Sequence, residues 1–365
     1  MPNVMLIMQI IIFVAGLAMV LMTVMSAIRT LVLPRSARDR LTRMVFVSMR
    51  RLFYLRVRRI SCYTKRDHIM ALYAPFALLT LLLTWLILVT IGYTAMFWAS
   101  SNYLWEEAAV LSGSSLLTLG FARGDTFFHT LLSFSESTLG LILVALLIAY
   151  LPTIYSAFSK RESAVKLLEV RAGAPPSAIE MFLRYYRINW LYDMNSFWQK
   201  WEVWFAELEE SHTSLAPLVF FRSPRSDQSW VTAAGTVLDA AALALSVLDV
   251  REDPQAALCI RSGYLALREI ATFFDIPYKA DARYPDEPIS ITRAEFDSAC
   301  EQLAQAGVPL KADREQAWLD FAGWRVNYDS VLLALCTLTM APEAAWSSDR
   351  SHDVMPQLLM PHKNG

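Results

Sequence analysis

Three apolar runs dominate the first 160 positions, and behind them the pattern changes to apolar residues recurring every three or four positions. Residues 4–28 and 69–98 carry no charge, and about 20 such residues cross the hydrocarbon core of a bilayer as a helix. Residues 127–158 form the third run, broken by one carboxylate, Glu136, and closed by Lys160 and Arg161. Each run predicts a spanning helix. The first lacks the positive leader of a signal peptide and is followed by Arg29 and Arg35 instead, so it is expected to stay as an anchor.

The second half predicts a helical region with almost no strand alternation. Pro175 and Pro176 open a helix expected to run to His212, with Trp190, Met194, Phe197, Trp201, Trp204 and Leu208 on one face as core or subunit interface. Further helices are expected at residues 228–250, 254–274, 292–306 and 313–339, with loops at 217–227 and 277–288. The fold class is thus an all-α membrane protein. Its expected parts are an N-terminal transmembrane helix (1–33), a basic linker (34–68), an outer helix–loop–inner helix unit (69–158), a helical cytosolic domain (159–348) and a frayed tail (349–365).

Composition supports the membrane reading. Only 18% of the 365 residues are charged, and the mean hydropathy of +0.34 is too high for an ordinary soluble chain. Residues 1–158 hold 13 Lys and Arg against 6 Asp and Glu, leaving 20 basic and 28 acidic side chains for the rest. An acidic second half argues against nucleic acid as a partner. Cys62, Cys259, Cys300 and Cys336 show no paired spacing and are expected as reduced thiols on the cytosolic side. No dinucleotide fingerprint, Walker loop, zinc-protease motif or repeat is present. Neither an enzyme nor a resident cofactor is expected, and Ser112, Ser114 and Ser115 have no His–Asp arrangement beside them.

Residues 35–66 carry the densest positive charge, including Arg38, Arg50, Arg51, Arg56, Arg58 and Arg59 among apolar side chains. Two readings stand: a topology signal lying on cytoplasmic headgroups, or an anionic-lipid site that modulates the rest of the chain. A voltage sensor is rejected, because these arginines do not recur every third residue within an apolar helix. The positive-inside rule places the N-terminus outside and the helical domain in the cytosol, in a plasma or inner membrane crossed several times.

Between the second and third runs lies WEEAAVLSGSSLLTLGFARGD, residues 105–125. Ser101 or Asn102 is expected to cap a short helix whose first turn holds Glu106 and Glu107, where carboxylates favour the positive end of the dipole. The segment Thr118-Leu119-Gly120-Phe121-Ala122 that follows resembles the Thr-Val-Gly-Tyr-Gly filter of potassium channels. The resemblance covers residues 72–158 and includes the proline-containing end of the third run around Pro152. It implies a homotetramer with four loops about one axis, backbone carbonyls replacing the hydration of a permeant potassium ion, and the Thr118 hydroxyl as an inner ligand. It also implies a bend at Gly140 and an inner gate at Pro152; the alternatives are a packing glycine and a helix-end proline.

The second filter glycine is replaced by Ala122. A left-handed alanine costs about 1 kcal/mol, so strict potassium selectivity is in question, and a non-selective monovalent cation pore or a non-conducting membrane sensor or scaffold are the alternatives. Arg123 and Asp125 flank the expected pore mouth. Glu136 is expected as a cavity cation site or as a hydrogen-bonding acid behind the filter, and His129 as an exposed histidine. What cytosolic ligand the helical domain binds is not written in its motifs.

Overall fold

The computed structural model describes residues 2–33, 39–101, 103–251 and 253–350. Arg35 and Arg38 of the linker, Asn102 as an alternative cap, and the expected tail from residue 351 onward lie outside the described residues. All regular structure among the described residues is helical, apart from one isolated bridge between Leu248 and Leu310. Three stretches are long and apolar enough to cross a membrane, Val4–Leu31, Tyr63–Ser100 and Phe127–Ala172, which is consistent with a membrane-embedded chain. The chain divides into two compact units, residues 1–60 with 72–156 and residues 61–71 with 157–365.

The first unit contains α1 (Pro2–Leu31), α2 (Arg40–Val57), α4 (Tyr73–Ser100), α5 (Trp105–Leu116) and the N-terminal part of α6 (Phe127–Ala172); the short α3 (Tyr63–Ala71) belongs to the second. Small residues set the spacing of α1 and α4. A Cβ on Gly92 would lie 2.6 Å from Val20 Cγ2 and 2.9 Å from the Gly16 carbonyl, so only glycine lets the two backbones approach this closely. Below that contact a polar chain joins three helices. The buried Trp85 indole donates to Ser26 Oγ at 3.1 Å, and Ser26 donates to Asp39 Oδ2 at 2.6 Å. The same oxygen accepts the Thr42 amide at 2.8 Å and so caps α2.

Much of the basic linker is a helix, α2. Asp39 starts it, no glycine or proline interrupts residues 40–60, and Leu41, Phe46 and Met49 pack against the apolar cluster of this unit. Tyr73 Oη donates to the Phe46 carbonyl at 3.1 Å.

The second unit adds α7 (Ala178–Arg187), α8 (Asn195–Ser214), a 3₁₀ turn (Ala216–Phe220), α9 (Trp230–Ser246), α10 (Pro254–Phe273), α11 (Arg293–Gln305), α12 (Arg314–Arg325) and α13 (Asp329–Thr339). Alanines in α9 let α7, α10, α12 and α13 pack on it from several sides, and its residues are buried almost without exception. Two expected helices are each broken. The one expected over 175–212 divides because Asn189 takes a left-handed turn at φ 58°, a conformation asparagine tolerates better than most residues. Trp190 is consequently 56% exposed, while Met194, Phe197, Trp201, Trp204 and Leu208 are core. The one expected over 313–339 divides at Tyr328, whose φ of −131° is not helical and whose hydroxyl reaches Asp239 at 2.9 Å.

Around that break sits a buried ionic cluster. Arg325 is fully buried and bonds Asp239 at 2.5 Å, Asp329 at 2.6 Å and the Trp346 carbonyl at 2.6 Å. Asp329 also accepts the Ser290 amide and hydroxyl. Arg350, at the start of the segment expected to fray, is tied to Glu295 at 2.8 Å.

Segment 61–71 joins this unit through Arg222, which bonds Asp67 at 2.5 Å and the Thr339 carbonyl at 2.7 Å. That moves the boundary of the expected linker, because the pairing partner lies 155 residues away.

Candidate functional site

The helix before the filter-like segment begins later than expected. Ser101 does not cap it; its hydroxyl donates to the Phe97 carbonyl at 2.6 Å and accepts the Tyr103 amide at 3.2 Å, closing α4 instead. Leu104 occupies the cap position with no side-chain oxygen to offer, and its amide donates to Glu107 Oε2 at 2.9 Å. Glu106 and Glu107 lie in the first turn, as the dipole argument anticipates.

At the other end, Ser114 organises the loop from both of its oxygens. Its carbonyl accepts the Leu119 amide at 2.9 Å, and its hydroxyl accepts the Ala122 amide at 3.1 Å. The Thr118 amide donates to the Ser115 carbonyl at 3.1 Å. Between these anchors the backbone alternates: Thr118 at φ 55° and Gly120 at φ 72° are left-handed, while Leu119, Phe121 and Ala122 are not. Leu119 and Phe121 are 60% and 68% exposed.

This corrects the strain assigned to Ala122. The left-handed positions are 118 and 120 rather than 120 and 122, so the non-glycine residue that bears the cost is Thr118. Arg123 and Asp125 are exposed, and the Asp125 amide donates to Tyr103 Oη at 2.9 Å.

Glu136 is fully buried, behind α5. Its Oε1 lies 2.5 Å from Ser112 Oγ, which is also 3.1 Å from the Thr90 carbonyl of α4. Of the two roles expected for it, the geometry provides the hydrogen bond behind the loop. Ser137 donates to the Ser115 carbonyl at 2.6 Å beside it. These serine contacts were not singled out from the sequence, although the run Ser112-Gly113-Ser114-Ser115 in an apolar setting marks them.

His129 is buried rather than exposed, with Nε2 3.3 Å from both the Ser100 carbonyl and hydroxyl and its ring 5.5 Å from that of Tyr103. Gly140 packs: a Cβ there would lie 2.7 Å from the Leu116 carbonyl, at the end of α5. Pro152 sits inside α6, which continues to Ala172. The helix ends 14 residues later than its apolar pattern suggested, since residues 159–172 stay helical after the charge begins.

On α2 and directly after it, Arg51, Arg56, Arg58 and Arg59 are exposed together with Met44, Leu52 and Leu55, and Arg50 is half-buried. No Asp or Glu occurs between Arg40 and Arg66.

In the second unit, Arg161 is buried and donates to the carbonyls of Leu218 and Phe221 and to His212 Nε2 at 3.2 Å. Arginine has only hydrogens to give, so His212 Nε2 is the acceptor, and Nδ1 carries the hydrogen directed at the Leu208 carbonyl, 2.9 Å away. Burial first, and then the neighbouring guanidinium, holds the imidazole well below its ordinary pKa. Among the described residues no cluster of His, Cys, Asp or Glu is arranged to hold a metal ion. Cys62 is exposed, and Cys259, Cys300 and Cys336 are buried free thiols. No protein-family model matches the chain, and comparison with curated protein sequences and with solved structures found no significant match.

Proposed function

We propose that the chain is one subunit of a homotetrameric cation channel, with residues 118–121 as its filter and potassium as the first candidate ion. The observation that carries this reading is the left-handed alternation at Thr118 and Gly120 in a loop held to its short helix by Ser114. Such alternation turns successive carbonyls toward one side, which a filter requires. One loop supplies a quarter of a ring, and four copies about an axis close it. Exposed Leu119 and Phe121 offer apolar surface for contact with neighbouring copies.

A non-selective monovalent cation pore is the second reading. Ala122 lies outside the left-handed alternation, which shortens the run of inward carbonyls at its outer end. In either case α4 and α6 flank the path, the basic α2 lies against anionic headgroups on the cytosolic side, and the C-terminal helical unit is cytosolic.

The test is ion flux from liposomes containing the purified chain. A potassium flux blocked by barium is expected, and a reversal potential in mixed sodium and potassium separates the two readings. No flux of any monovalent ion refutes both and leaves a membrane scaffold.

A further inference from the structure

Behind the loop, one hydroxyl hydrogen faces two oxygens. Ser112 Oγ lies 3.1 Å from the Thr90 carbonyl and 2.5 Å from Glu136 Oε1. A carbonyl only accepts, and a serine has a single hydrogen to give. If it serves Thr90, the contact with Glu136 closes only when the carboxyl brings a hydrogen of its own.

The surroundings agree. Glu136 is fully buried, and its Oε2 has no hydrogen-bond partner. On α4 the titratable neighbour is Tyr93, whose hydroxyl is engaged with Ser135 at 2.8 Å. From α5 it meets Ser112, while Glu106 and Glu107 lie in the first turn at the opposite end of that helix. On α6 itself the nearest titratable side chain is His129, two turns earlier and held by Ser100, and the first cation that follows is Lys160. No cation on these three helices stands beside the carboxyl, and an isolated buried carboxylate is costly.

We infer that Glu136 stands as a carboxylic acid that donates to Ser112, and that this proton ties α6 through α5 to α4 and so positions the loop on α5. Glu136 is then a positioning residue of the permeation path rather than an ion ligand. The assignment of that role rests on the proposed function; the donor assignment does not.

The test uses the full chain in lipid bilayers. Infrared absorption at neutral pH is expected to contain a protonated-carboxyl C=O band that Glu136→Gln removes and Ser112→Ala shifts to higher frequency. A spectrum in which no such band depends on position 136 overturns the donor assignment. Hydrogen exchange of the loop amides tests the positioning: Glu136→Leu is expected to speed it about tenfold, and Glu136→Gln, which keeps the volume and a donor, to leave it near the native rate. If the loop exchanges alike in all three chains, or as fast with Gln as with Leu, the positioning role fails. A chain with the band and a protected loop but no ion flux counts against the channel reading and leaves Glu136 as assigned.

Discussion

The two units solve the same problem, burying helices, by opposite means. The second unit encloses its apolar side chains around α9 and neutralises a buried arginine with two carboxylates of the same chain. The first leaves Phe76, Leu83, Ile87, Phe127, Phe134, Leu141 and Ile148 exposed, and hydroxyls such as Thr84 and Thr90 are bonded to carbonyls one turn back. Lipid offers a helix no hydrogen bonds, so a hydroxyl on a spanning segment is satisfied by a carbonyl one turn back or by a neighbouring helix. Other polar side chains of the first unit reach between helices, Trp85 to Ser26, Tyr73 to the Phe46 carbonyl and, at the candidate site, Ser112 to Glu136.

Changes at each unit's tightest point sharpen the contrast. Arg325→Leu leaves Asp239 and Asp329 buried without their cation and is expected to cost about 3–5 kcal/mol, measured as a lowered denaturation midpoint or loss of folded protein. A cost under about 1 kcal/mol would mean the cluster is solvated. Gly92→Leu overpacks the approach of α4 to α1 and is expected to cost about 1–3 kcal/mol, read as reduced resistance to detergent unfolding.

His212 supplies the pH dependence. Its native pKa is depressed, so the unfolded chain binds a proton that the folded chain refuses. Stability is therefore full above the unfolded value near ~6.5 and falls as pH drops below it. Denaturation midpoints compared at neutral pH and at about pH 5 should show the loss, and His212→Gln should reduce the slope. The smallest effect is expected at Ala122→Gly. With Ala122 outside the left-handed region there is no strain to relieve, and the change adds only the backbone entropy of glycine, about 0.5–1 kcal/mol. On the proposed channel reading, an unchanged potassium-to-sodium permeability ratio is expected; a large rise would restore the strain argument.

What was legible in the sequence was local. Asp253 before Pro254 and Thr292 before Glu295 announce the starts of α10 and α11, and both side chains cap as their types suggest. The apolar runs announce the spans, and Glu106 and Glu107 the start of α5. What escaped depends on partners far along the chain: Arg325 with Asp239 across 86 residues, Trp85 with Ser26 across 59, and Arg222 with Asp67. The break after Arg187 hung on one left-handed asparagine, a signal too weak to read against a continuous aromatic stripe. At the loop, the filter-like pentapeptide was visible, but which of its residues turn left-handed was set by Ser114, whose carbonyl and hydroxyl fix the register from behind.

The distribution of thiols has a practical consequence. Cys62 immediately precedes α3, and it is the one cysteine of the four that solvent reaches. A maleimide dye would therefore mark the native chain at a single place without mutagenesis, beside the Tyr63–Asp67–Arg222 junction, and its anisotropy would report when that junction opens.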